Sequence, residues 1–267
     1  MKIESMKLAW VSIKDFERSK KFFTQTLGLT LTNVADQWGW MELTGDGSFF
    51  LGAGTCDDRN PVQPGNNAVV TMEVKDLAAA CAELKQKGVT VMGDIIEVPG
   101  EVKLAFIQDP DNNHYQLVER IKQEPKPMVA GNGAIKNMGM AWLATADVAR
   151  SQKFFKDMLG LELMSYSAEW GWTEYKTGNP SFALGVCGCE TLPKQPGNQM
   201  ACIKAGSNAV LTMTVDDIVA SHAKLVAQGV QFVGDMVEVP GHVKMHMFLD
   251  PDGNKFQLVQ MLGHKLS

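Results

Sequence analysis

The six tryptophans of this chain are the residues whose placement suggests chemistry. Trp10, Trp38 and Trp40 return 132 residues later as Trp142, Trp170 and Trp172, so all six stand in matched pairs. Two carboxylates travel with them: Glu42 and Glu174 each follow a Trp-Gly-Trp tripeptide by two residues. Indoles stack on flat ligands for about 0.5–1.5 kcal/mol per ring pair beyond area burial, and their faces attract cations. A carboxylate beside them could accept a hydrogen bond, balance a positive charge or, with a pKa raised by burial, act as a general base. The competing reading is that the rings only fill a core. Histidines add little. His114 lies two residues before Gln116, and Lys255 stands in its place in the second copy. His242 and His246 replace Glu101 and Ala105, and His246 with Gln257 forms a second candidate pair.

Strand alternation places these side chains. In the first strand Leu8, Trp10 and Ser12 share one face, while Ala9, Val11 and Ile13 share the other and should pack under a helix. Trp38, Trp40 and Glu42 alternate against Gly39, Met41 and Leu43, and Trp170, Trp172 and Glu174 repeat the pattern. A glutamate is costly in a dry core unless paired. Its face is therefore expected to open to water or ligand, and the tryptophans share that face.

The elements that position them also repeat. Asp15 to Phe23 matches Asp147 to Phe155, and Asp109-Pro110-Asp111-Asn112-Asn113 matches Asp250-Pro251-Asp252-Gly253-Asn254 at an offset of 141. The nine extra residues fall in a Pro- and Gly-containing loop near 191–204. A fainter repeat divides each half: strands ending at Asp15, Asp76, Asp147 and Asp217 each offer a helix N-cap. Gly28, Gly88, Gly160 and Gly229 suit left-handed helix ends. With three shorter strands after each helix, the unit is βαβββ, four times over. The predicted division is a first domain over 1–121, a linker over 122–137 and a second domain over 138–267. Glu97-Val98-Pro99-Gly100 and Glu238-Val239-Pro240-Gly241 read as turns. Gln63-Pro64-Gly65-Asn66 and Gln195-Pro196-Gly197-Asn198 read as surface loops.

At 267 residues, 45% apolar and 21% charged, the chain has material for two packed domains. A net charge of -5 with no basic run argues against nucleic acid as a partner. No apolar stretch reaches the roughly 18 residues needed to cross a bilayer. The N-terminus shows no signal-peptide core, and the five irregularly spaced cysteines read as reduced thiols, so the expected location is cytoplasmic.

The βαβββ quarters, the Asp-x-x-x-Ser-x-x-Phe-Phe helix start and the Asp-Pro-Asp turn together resemble the vicinal oxygen chelate superfamily. That group holds glyoxalase I, extradiol dioxygenases and the fosfomycin- and bleomycin-resistance proteins. The resemblance covers nearly the whole chain. It implies an α+β fold of two tandem glyoxalase-like domains, each a curved mixed sheet around a cavity, forming an internal pseudo-dimer. Whether that pseudo-dimer pairs again between chains is left open. It also implies a divalent metal on the sheet face, held by residues at three places. These fall here on Leu8, Val69 and Gln116, and on Met140, Val210 and Gln257. Leu and Val offer no lone pair to a hard cation, and a neutral Gln is a weak ligand. Both halves read as metal-free, with no cofactor.

The expected function is a metal-free small-molecule binding protein, favoured over an enzyme. It would hold a flat aromatic or apolar antibiotic or metabolite against Trp10, Trp38, Trp40, Glu42 and Gln116, or against Trp142, Trp170, Trp172, Glu174, His246 and Gln257. The alternative is a metal-dependent lyase, isomerase or dioxygenase of the same superfamily with atypical ligands, or metal-free acid–base chemistry by Glu42 or Glu174. A third possibility is a scaffold whose cavities are filled by its own side chains.

Overall fold

The computed structural model describes residues 2–55, 62–121, 135–169, 171–188 and 203–263. Trp170, Cys56, Cys189, Cys202, His264, the 195–198 loop and most of the linker lie outside the described residues. Asn137, placed in the linker from the sequence, already opens a strand.

The first half holds β1 (Ser5–Ile13), α1 (Phe16–Lys21), β2 (Thr30–Ala35), β3 (Trp40–Thr44), β4 (Phe50–Thr55), β5 (Val69–Glu73), α2 (Leu77–Gln86), β6 (Thr90–Val98), β7 (Val102–Gln108) and β8 (His114–Arg120). The second repeats it with β9 (Asn137–Ala144), α3 (Val148–Gln152), β10 (Leu163–Ser167), β11 (Trp172–Lys176), β12 (Ala183–Cys187), β13 (Val210–Thr214), α4 (Ile218–Ala227), β14 (Phe232–Val239), β15 (Val243–Leu249) and β16 (Lys255–Met261). Each half forms one eight-stranded mixed sheet, ordered β2-β3-β4-β1-β5-β8-β7-β6 and β10-β11-β12-β9-β13-β16-β15-β14. The β1–β4 and β5–β8 pairs are parallel, and antiparallel β1–β5 pairing joins the two modules.

All four helices begin as read from the sequence. Asp15, Asp76, Asp147 and Asp217 are extended and accept backbone N–H bonds from the first turn. Gly28, Gly88, Gly160 and Gly229 take positive φ beyond the last turn. Helices α1 and α3 are short because each passes into a π-helical turn, Phe22–Thr26 and Lys153–Met158. Phe22, Phe23, Phe154 and Phe155 are buried there in the main core. None of the helices among the described residues is long and apolar enough to cross a membrane.

That core lies between the halves as well as within them. Ala9, Val11 and Ile13 belong to it, so alternation in β1 sorted the helix-facing residues correctly. Phe49 stacks on Phe182 at 3.8 Å, Phe23 meets Phe256, and Tyr115 meets Phe155. Ala68 and Ala209 exchange backbone hydrogen bonds of 2.8 and 2.9 Å. The Asp-Pro-Asp turns pin this junction. The first carboxylate, Asp109 or Asp250, accepts backbone N–H groups of its own turn. The second reaches across: Arg18 donates to Asp252 and Arg150 to Asp111, both at 2.6 Å. Asn254 and Asn113 then accept the backbone N–H groups of Asn67 and Asn208 from the opposite half. The turn that carried the resemblance is therefore the seam of the pseudo-dimer.

Candidate functional site

Each sheet has a second face, turned away from the helices, here called the inner face. In the first half Leu8, Trp10, Phe50, Val62, Val69 and Phe106 form a separate buried cluster there, with Trp40, Met92 and Leu104 packed against it. In the second half the cluster is Trp142, Ala144, Cys187, Ile203, Val210 and Met247, joined by Trp172 and Val233. Trp10 meets Trp40 at 6.4 Å between ring centroids, and Trp142 meets Trp172 at 6.3 Å. Four of the six tryptophans thus stand as two paired indoles, one pair per inner face.

Glycines in the neighbouring strand seat the second indole of each pair. A Cβ on Gly52 would overlap Cη2 of Trp40, and one on Gly185 would lie 2.7 Å from Cη2 of Trp172. The sequence carried this signal, since a glycine inside a strand marks a close approach, but alternation alone does not say what approaches.

Trp38 departs from expectation. Residues Asp36–Trp38 form a short 3-10 turn, and Gly39 follows with a φ of 57°. The strand starts only at Trp40, so alternation does not extend back to Trp38, whose indole is 54% exposed. Glu42 and Glu174 do sit beside the indoles. Trp40 Nε1 donates to Glu42 Oε1 at 3.3 Å, and Trp172 Nε1 to Glu174 Oε1 at 2.7 Å. Glu42 is buried and Glu174 half-buried, also accepting from Ser165.

His246 and Gln257 border the same small space, but their side chains do not face each other. The antiparallel register sets Met247 opposite Gln257 and His246 opposite Leu258, so the two side chains take opposite faces. His246 lies on the helix side, where it stacks on His222 at 5.0 Å and also meets Phe232. Burial holds its imidazole below the ordinary range. The His114 imidazole is engaged near the seam, with Nδ1 3.3 Å from Asn208 Oδ1 and Nε2 3.2 Å from Gln108 Nε2.

Gln116 and Gln257 both face inward. Thr71 Oγ1 donates to Gln116 Oε1 at 3.0 Å, and Trp142 Nε1 donates to Gln257 Oε1 at 3.0 Å. The positions that would hold a divalent metal fail on donor chemistry. Leu8, Val69 and Val210 are buried hydrocarbon, Met140 offers only a soft thioether, and each Gln oxygen already accepts a hydrogen bond. No group of three His, Cys, Asp or Glu capable of holding a metal occurs among the described residues. The residues do not fit the metal.

The inner face of the second half is more filled, among the described residues, than the sequence led us to expect. In the second half a space of about 10 Å³ lies among Val233, Asp235, Val237, Met245, His246, Met247 and Gln257, room for a single water at most. A larger cleft of about 140 Å³ lies elsewhere, between Gln25–Gly28 and Ser221, Lys224 and Leu225 of α4. A ligand at the second indole pair must displace side chains. The half-buried ones, Trp172 and Val233, are best placed to yield.

Comparison with known proteins places this geometry. The family model "Glyoxalase/Bleomycin resistance protein/Dioxygenase superfamily" matches residues 7–117 and 137–258. A probable chloroplastic lactoylglutathione lyase of Arabidopsis thaliana is 25% identical over 268 residues, covering 91% of this chain and 69% of the relative. Lactoylglutathione lyase GLX1 of the same plant is 25% identical over 276 residues, covering 92% and 88%. The Mn(II)-bound glyoxalase from Novosphingobium aromaticivorans superposes with a TM-score of 0.63 at 15% identity, covering 98% of this chain and 83% of that one. The 2,3-dioxygenase LapB from Pseudomonas sp. KL28 gives 0.63 at 15%, covering 99% and 94%. These superpositions show the shared fold, and the family match extends over both halves. The chain belongs to the glyoxalase/bleomycin resistance protein/dioxygenase superfamily.

Proposed function

We propose that this protein holds a flat, largely apolar small molecule on the inner face of a sheet without the help of a metal. The observation that carries the reading is the paired indoles, Trp10 with Trp40 and Trp142 with Trp172, on the sheet face where the resemblance would put a metal. A ligand ring gains stacking against an indole. Glu42, Gln116, Glu174 and Gln257 supply acceptors around it for polar substituents. The test is titration with flat aromatic compounds, following tryptophan fluorescence, and recovery of each compound afterwards. Quenching with the compound unchanged supports a binding protein; a chemically altered compound overturns it.

A second reading is a glyoxalase-type lyase, and the relatives favour it, since both plant proteins carry the name lactoylglutathione lyase. The relatives weigh towards this reading and the donor set towards the first. Formation or breakdown of lactoylglutathione by the purified protein, with and without added Zn, Ni or Mn, decides between them. Turnover that appears with metal establishes the lyase. No turnover under any condition leaves the binder.

A further inference from the structure

Trp10 Nε1 is buried and has no hydrogen-bond partner. Buried polar groups are nearly always satisfied, so each exception calls for a cause. Three other buried polar atoms lack partners among the described residues: Asn137 Oδ1, Tyr175 Oη and His246 Nδ1. Tyr175 packs on Phe155 in the main core, and His246 sits on the helix side. Only Trp10 belongs to an inner-face cluster.

Its repeat mate serves as an internal control. Trp142 Nε1 donates to Gln257, and the side chain of Thr212 donates to the backbone oxygen of Met140. The first half has the same three residue types, Trp10, Gln116 and Thr71, but connects them differently. Thr71 donates to Gln116 instead, and Trp10 is left with an idle donor. The surroundings differ in size. Phe106 stands opposite Gln116 where Met247 stands opposite Gln257, and its ring meets Trp10 edge-on at 6.2 Å. Phe50 pairs with Leu8 where Ala183 pairs with Met140. The first half is walled by aromatic rings around an N–H that nothing accepts.

We infer that the inner face of the first half binds an apolar aromatic molecule carrying a carbonyl-type oxygen, and that Trp10 Nε1 donates to that oxygen. The second half, whose equivalent donor is already satisfied, does not select for such an oxygen. This rests on the small-molecule reading above and adds to it which half discriminates and by which atom.

Acetophenone and α-methylstyrene make the test. They are nearly isosteric and differ in carrying C=O against C=CH2. Each is titrated into the full chain while the indole N–H resonances are followed in a proton–nitrogen correlation spectrum, with Trp10 assigned from Trp10→Phe. The expected result is a downfield shift of the Trp10 resonance with acetophenone alone and about ten-fold tighter binding of the ketone, with the Trp142 resonance moving alike for both. In Trp10→Phe the preference disappears. Equal binding of the two compounds, or a preference that survives Trp10→Phe, overturns the inference while leaving the binding reading standing. If neither compound moves any indole resonance at its solubility limit, both fall. Should Trp10→Phe not fold, Trp142 is assigned from Trp142→Phe, and the wild-type difference in affinity between ketone and alkene still decides.

Discussion

The two halves share a fold, a pair of indoles and an inward glutamine, yet they satisfy their polar atoms differently. In the second half Trp142 and Gln257 bond to each other. In the first, Thr71 occupies Gln116 and Trp10 keeps a free donor. The same contrast runs through the seam. Asp111 accepts from Arg150, from the Thr145 hydroxyl at 2.6 Å and from the Ala146 backbone N–H at 3.4 Å, whereas Asp252 accepts from Arg18, from the Lys14 backbone N–H at 3.2 Å and from the Ser19 hydroxyl at 3.4 Å. Duplication preserves packing because a core needs shape on both sides. Hydrogen bonds are rewired by single neighbours such as Phe106 or Thr145, so function can diverge between copies while the fold does not.

The largest effect comes from breaking what the halves share. Gly52→Val and Gly185→Val drive a side chain into the indole seated on each glycine, and each should cost about 3 kcal/mol of stability by denaturant unfolding. Next, the seam arginines separate the halves. Arg18→Ala leaves Asp252, whose side chain is wholly buried, with weaker remaining partners than Asp111 keeps. We expect a loss of about 2 kcal/mol for Arg18→Ala and about half that for Arg150→Ala. The tryptophans test the contrast more finely. Trp142→Phe strands the Gln257 oxygen, while Trp10→Phe removes a donor that had no partner. Trp142→Phe should therefore destabilise by about 1 kcal/mol more, and equal losses would contradict the wiring described above.

The smallest effect is a titration. Burial pushes the Asp250 carboxyl up to about 6, against the hydrogen bonds of Asn254. Burial raises Asp109 too, but the Tyr115 hydroxyl donates to it at 3.1 Å, and Phe256 holds the corresponding place beside Asp250. Carboxyl resonances should show Asp109 titrating at lower pH than Asp250. Because folded Asp250 keeps its proton to higher pH than the unfolded chain, it favours the folded state at low pH. That contribution is lost as pH rises through about 6.

Much of the fold was legible in the sequence, because N-cap aspartates, left-handed glycines and strand alternation are local rules. Alternation in β1 correctly divided Leu8 and Trp10 from Ala9, Val11 and Ile13. It failed at Trp38, where Gly39 turns the backbone out of the strand. It could not phase His246 against Gln257, because they lie on different strands and the register between strands is a non-local property. The glycine seats, the seam and the filled inner face of the second half likewise depend on contacts between residues far apart in sequence. Conversely, the mismatch between the apolar residues at Leu8, Val69, Met140 and Val210 and a metal-donor set was readable at once, since side-chain type alone decides it.

The most direct test of the account is the metal content of the purified, untagged protein by elemental mass spectrometry, before and after incubation with Zn, Ni, Mn and Fe followed by desalting. The account predicts no stoichiometric metal under either condition. One tightly held ion per chain would contradict it and favour the reading as a metal-dependent lyase.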